Sequence, residues 1–242
     1  MSTPQEVTII PYLKTIWILQ HEEQARVGIT ILSKRLSKAP ATVSQTVRAL
    51  TVARLIHHKP YGPIELTLKG EQLAIKVVRN DRIARAFLYR VLDYPWPDIA
   101  GEADTLMTVL HDGLANRLHL LSGSPLTDPY GNLIPGTGAS SPRGARPLTE
   151  QPLRTELEIL RVPDAEPALL DRLHSFGLVP GRIVQVERVD DTTEVIELMC
   201  NDTARTIGIH SAHRILAAPT VGASRPGSDQ RLHPDRIRSS AP

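Results

Sequence analysis

Apolar positions recur mostly at helical spacing through the first 120 or so residues and alternate along the last third of the chain. Leu13, Ile16, Trp17 and Leu19 predict a helix over 11–20, with Pro11 in its first turn, where a missing N–H costs nothing. The polar run HEEQARVG follows. Ile31, Leu32 and Leu36 then mark a short helix whose other side carries Lys34 and Arg35. After the turn SKAPA, Pro40 is placed to open the next helix, 41–52. Its Val43, Val47 and Leu50 keep i, i+4, i+7 spacing and must face a core, so Ala41, Ser44, Gln45 and Arg48 face outward. Residues 55–59 and 64–66 flank the turn Pro60-Tyr61-Gly62-Pro63 and predict a β-hairpin.

Thr67 can cap a long helix to about Leu92, with Leu68, Ile75, Val78, Ile83, Phe87 and Leu92 among its apolar positions. Tyr94-Pro95-Trp96-Pro97 breaks it. A second helix is predicted from Asp98 to about Leu121, with the stripe Ile99, Ala103, Leu106, Leu110, Leu114, Leu118. These two helices carry more apolar surface than a small DNA-binding unit needs, and a dimer interface is its natural use. Residues 122–151 are rich in Ser, Pro and Gly and read as a linker, although 128–136 looks like a series of defined turns. From Arg154 to Ala218 the strands ELEILRV, RIVQVERV, VIELMC and ARTIGI, with a short helix at 168–176, predict a small SH3-like β-barrel. The class is α+β. The expected division is a winged helix-turn-helix at 1–66, a helical dimerisation region at 67–136, a linker at 137–152, the SH3-like unit at 153–218 and a disordered basic tail at 219–242.

Charge changes the picture in one place. The chain has 28 basic and 26 acidic residues, yet 27–64 contains no Asp or Glu at all. That stretch holds Lys34, Arg35, Lys38, Arg48, Arg54 and Lys59 with His57 and His58, a local excess of the kind a phosphate backbone attracts. A helix whose outward face is small, polar and basic can enter a major groove, and a hairpin beside it can touch the backbone or minor groove. Lys34, Arg35, Ala41, Ser44, Gln45, Arg48, His57, His58, Lys59 and Tyr61 are the expected contacts with double-stranded DNA. Cys200 is the only cysteine, so a thiolate cluster for zinc is excluded. No apolar run approaches the about 18 residues of a membrane span, and no signal peptide is recognisable, so a cytoplasmic protein is expected. No phosphate-binding glycine loop, nucleophile elbow or His-Glu-x-x-His helix is present, which argues against an enzyme.

The order YLKTIW, ATVSQTV, LTLKG, DPYGNLIPG and LHSFGLVPG resembles the diphtheria-toxin-repressor family of metal-dependent bacterial regulators over roughly residues 8–218. The last of these motifs resembles the SH3-like domain also found in ferrous-iron transport accessory proteins. The resemblance implies a homodimeric repressor of metal-homeostasis genes with iron or manganese as cofactor. Base recognition would fall on Ala39, Ala41 and Gln45, with Thr42, Ser44 and Arg48 near phosphates. The ligand positions depart from the family. Those of the primary site are Pro11, Asp104, Met107 and Thr108, of which only Asp104 is an ordinary ligand for a hard cation; Met107 is a soft thioether. Those of the ancillary site are Asp81, Arg85 and Ala100, with Glu166 a candidate from the SH3-like unit. His111, seven residues beyond Asp104 on what should be the same helix face, would need partners such as Asp81 or Glu102 to rebuild a site. Two alternatives stay open beside an altered metal sensor. One is a metal-independent regulator answering another effector; the other is an adaptor using its SH3-like unit.

Overall fold

The computed structural model describes residues 4–59, 62–107, 109–164 and 166–220, so the nominated Tyr61, Thr108 and the tail from 221 onward lie outside the described residues. Helix α1 (Pro4–His21) runs a full turn and more upstream of its expected start, which places Pro11 inside it. The missing N–H there is tolerated because the segment beyond it is held by packing: Tyr12, Leu13, Ile16 and Leu19 are all buried. Helix α2 (Ile29–Leu36) ends at Ser37, whose φ of 50° turns the chain, and α3 (Pro40–Val52) starts on Pro40 as expected. Strands β1 (Ile56–His58) and β2 (Ile64–Leu66) form the hairpin, with His57 opposite Glu65 and His58 opposite Ile64. Val43, Val47 and Leu50 of α3 pack with Leu32, Leu55, Ile56, Ile64 and the α1 residues into a core of their own.

Helix α4 (Leu68–Arg90) begins on the expected cap: the Thr67 hydroxyl accepts from Gly70 N at 3.0 Å and donates to the Arg54 carbonyl at 2.8 Å. After a 3-10 turn at Trp96–Asp98, the single helix expected to Leu121 is two helices. These are α5 (Ile99–Leu106) and α6 (Asp112–Leu121), separated by a break at which His111 becomes the N-cap of α6. Met107 and Leu110, on either side of the break, are both buried in the same core.

The C-terminal part contains β3 (Arg146–Pro147), a 3-10 turn at Leu148–Glu150, β4 (Glu156–Arg161), α7 (Pro167–Ser175), β5 (Ile183–Asp190), β6 (Val195–Cys200), β7 (Thr203–Gly208), α8 (Ile209–His213) and β8 (Leu216–Pro219). The strands make one antiparallel sheet in the order β3-β8-β4-β5-β6-β7. The alternation read in the sequence is the pleat of this sheet: on β6, Ile196, Leu198 and Cys200 point inward and their neighbours outward. Two of its features fall in the stretch expected to be a linker. Arg146 and Pro147 pair with Ala217 and Leu216, and Leu148 is fully buried.

The chain at 125–135 is not a tether either. Asp128 accepts from Tyr130 N, Asn132 N and Asn132 Nδ2, an Asx-type turn that folds the segment on itself. Tyr130 and Ile134 then sit in a single core shared by α4, α5, α6 and the sheet. No helix among the described residues is long and apolar enough to cross a membrane.

Candidate nucleic-acid interface and cation cluster

The two charged features of the molecule lie on different elements and have opposite character. The first is open. On α3, Ala41, Thr42, Gln45 and Arg48 are exposed and Ser44 is half-exposed, while the three core residues hold the opposite side. Ala39 and Ala41 at the start of the helix keep its tip narrow, which is what close approach to base edges requires. Lys34 and Lys38 are exposed beside it, and His57 and Lys59 are exposed on the hairpin. Two nominated residues are engaged elsewhere. Arg35 forms an ion pair with Glu23 in the polar connection, and His58 is half-buried with Nδ1 3.5 Å from the Pro63 carbonyl.

The second feature is closed. Lys14 of α1 reaches two carboxylates, Asp81 of α4 at 3.1 Å and Asp104 of α5 at 2.6 Å. Asp81 in turn takes Arg85, one helical turn on, at 3.0 Å. Arg85 also meets Asp128 at 3.4 Å and pairs with Asp164, in the loop after β4. A parallel link runs beside it: Arg82 donates to Glu22 at 2.6 Å and to the Leu133 carbonyl at 2.5 Å, and Arg161 of β4 approaches the same Glu22 at 3.5 Å. The side chains of Asp81, Arg85 and Asp128 are 3%, 8% and 0% exposed, so these are interior charges and not surface pairs.

Their proton affinities follow from that burial. Burial pushes the Asp81 carboxyl up, but Arg85 and Lys14 together outweigh it and hold it below the usual carboxylate range. Burial pulls the Lys14 ammonium down, and Asp81 with Asp104 outweighs burial and the Arg85 charge to leave it raised. Burial likewise opposes the Arg85 charge, and Asp81, Asp164 and Asp128 override it. Asp128 goes the other way. It is wholly buried and its contact with Arg85 is long, so burial wins and raises its carboxyl above the ordinary value. Asp164 is lowered, burial being outweighed by Arg85, but it keeps 28% exposure and solvent screens part of the attraction.

The sequence-based ligand set does not come together. Met107 is buried in the core. His111 is exposed, and its Nδ1 accepts from Leu114 N at 3.3 Å as a helix cap; the break between α5 and α6 removes it from the Asp104 face. Glu102 is exposed and lies near the Tyr94 hydroxyl, away from Asp81 and Asp104. Glu166 pairs with Arg214 at 2.5 Å inside the C-terminal unit; the residue that unit contributes to the cluster is Asp164. Only Asp81 and Asp104 share a partner, and it is Lys14. Among the described residues no group of three His, Cys, Asp or Glu side chains is placed to hold a metal ion. A divalent cation does not fit beside Asp81 as the cluster stands, because an ammonium and a guanidinium already take its oxygens. Reading the sequence missed Lys14, Asp128 and Asp164. Asp128 has a local sign, an Asp followed by Tyr-Gly-Asn in turn spacing; Lys14 and Asp164 meet only through tertiary structure.

Three family models match successive stretches of the chain. They are the iron dependent repressor N-terminal DNA binding domain over residues 8–64, the iron dependent repressor metal binding and dimerisation domain over 67–136 and the FeoA domain over 146–219. The iron-dependent repressor IdeR of Mycobacterium tuberculosis is 33% identical over 194 residues, spanning 73% of this chain and 82% of that one. The diphtheria toxin repressor of Corynebacterium jeikeium is 26% identical over 207 residues, 76% of this chain and 86% of that one. Among solved structures, a manganese-dependent transcriptional repressor in complex with manganese matches with a TM-score of 0.79 at 27% identity, over 87% of this chain and 99% of that one.

Proposed function

This chain belongs to the iron-dependent repressor family of metal-dependent DNA-binding transcriptional regulators, and on that premise we propose that it acts as a homodimeric, sequence-specific repressor whose metal response has been altered. The observation that carries the DNA-binding half is the outward face of α3: exposed Gln45 and Arg48 behind a narrow alanine tip, inside a stretch free of carboxylates. Gln45 is suited to a bidentate contact with adenine, and Lys34, Lys38 and Lys59 to phosphates. Exposed leucines support the homodimer. Leu120 and Leu121 at the end of α6 keep 70% and 69% exposure, and Leu92 after α4 keeps 53%. Two-fold symmetry would then present two copies of α3 to successive half-sites about one helical turn apart.

The altered metal response is supported by Lys14 and Arg85, which meet the carboxylates at positions where the family resemblance calls for metal ligands. The test is selection of bound fragments from genomic DNA by the pure protein, run in chelator and again with ferrous or manganous ion. An altered regulator enriches the same palindromic site in every condition. Enrichment only with metal would refute the altered response, and enrichment in none would refute operator binding. Sedimentation of the same preparation should give a dimer.

A further inference from the structure

We infer that the Lys14 ammonium and the Arg85 guanidinium are built-in substitutes for a divalent cation, and that they fix the DNA-binding module to the rest of the protein without any bound ion. The inference rests on the reading above and concerns how that regulator is held in its DNA-binding form. Four carboxylates from four segments are strung along these two cations: Asp104 from α5, itself 66% exposed, and Asp81 from α4 on Lys14, then Asp81 again with Asp128 from the turn after α6 and Asp164 from the loop after β4 on Arg85. Oxygen donors gathered from distant segments are the ordinary surroundings of a hard cation. Here the positive charge between them is supplied by two side chains of the protein itself. Lys14 brings it from α1, the helix that carries the core of the DNA-binding module, and Arg85 brings it from α4.

The connections form one unbroken path, Asp104 to Lys14 to Asp81 to Arg85 to Asp164, from the helical region through α1 and back across α4 to the C-terminal sheet. Each cation bridges carboxylates on different elements, as a metal ion would, and each is tethered by a covalent side chain that no chelator can remove. A divalent ion placed among the same oxygens would meet both positive charges within a few ångströms and would be repelled. Loss of the Lys14 charge would leave Asp81, 3% exposed, one partner short and would remove the ion pairs that Lys14 of α1 makes to α4 and α5.

The experiment has two arms. In the first, the melting temperature of the full chain is measured in chelator and in manganous ion. No change is expected, and a rise with manganese would overturn the inference, because a ligand that binds the native state must stabilise it. This arm needs no DNA and so stands apart from the operator reading. In the second, Lys14→Met and Lys14→Arg are compared with the wild-type chain on the fragment that the wild type selects. Lys14→Met should weaken specific binding about tenfold or more in chelator, and Lys14→Arg should restore most of it. Equal binding by Lys14→Met would overturn the inference. Should Lys14→Met prove unfolded, Asp164→Asn takes its place: its side chain is 28% exposed, so the fold tolerates the change, and it too should weaken specific binding. Wild-type protein that selects no fragment in any condition would refute the operator reading, leaving the melting arm to decide on the cations.

Discussion

Gln45 and Lys34 are both exposed and both belong to the helix-turn-helix, yet they should fail differently when removed. Gln45 has an amide that can match two groups on one base edge, so Gln45→Ala should cost about 1–3 kcal/mol on the selected site and relax its sequence preference. Lys34 offers a point charge. Lys34→Ala should weaken binding to every sequence alike and reduce the salt slope by about one. Titrations at several salt concentrations on selected and random duplexes separate the two; a Gln45→Ala loss equal on both duplexes would remove it from base reading. Asp81 and Lys14 make a different prediction, about stability. The Asp81 carboxyl is depressed in the folded chain, so its contribution is present above the ordinary value of about 3.9 and disappears as pH falls through the lower folded value. The Lys14 ammonium is raised, so its contribution is present below about 10.4 and disappears as pH rises through the higher folded value. Between those limits the pair is complete, and Asp81→Asn should cost about 3–5 kcal/mol at neutral pH, since it strands buried cations. Urea midpoints followed by circular dichroism across pH give the check. Lys14→Met should lose the alkaline decline that the wild type shows, and parallel declines in the two proteins would contradict the assignment.

Among the elements, the turn at 128–135 shows most clearly how local chemistry becomes tertiary structure. Its Asp and Asn satisfy the backbone of the turn, and that frees Tyr130 and Ile134 to point into the core. Tyr130 donates its hydroxyl to the Trp96 carbonyl, and its own carbonyl accepts from Val162 N of the C-terminal unit at 3.0 Å. Trp96 stacks on His174 of α7 with ring centroids 5.4 Å apart. Gly131 is the position without slack. Its φ is +86°, and a Cβ there would overlap the Leu160 carbonyl oxygen. Gly131→Ala should therefore destabilise the chain by more than about 1 kcal/mol, through left-handed strain together with steric overlap. Urea unfolding should show this loss, and limited proteolysis should show earlier cleavage between the helical region and the sheet. Wild-type behaviour in both would mean that the turn yields more easily than its contacts imply. The break between α5 and α6 belongs at this scale too. The stripe from Ile99 to Leu118 was legible, but the kink within it was not, because either shape satisfies helical spacing locally.

At the scale of the whole molecule, two hydrophobic cores organise the described residues. One core lies within the DNA-binding module. The other runs from Val77 through α5, α6 and Tyr130 into the sheet. What the sequence determined by itself was whatever depends on neighbours in the chain. The helix-turn-helix and its outward residues, the hairpin, the Thr67 cap, the α7 helix and the alternation of the strands all follow from spacing, capping and turn chemistry, each acting over a few residues. The absence of carboxylates over 27–64 needed no structure at all. Tertiary structure alone decided the partners of the interior charges. Lys14 lies 67 residues from Asp81 and 90 from Asp104, and Arg85 lies 79 from Asp164. No periodicity links positions so far apart; they meet because two hydrophobic cores bring α1, α4, α5 and the sheet together, and because a buried charge must find an opposite one.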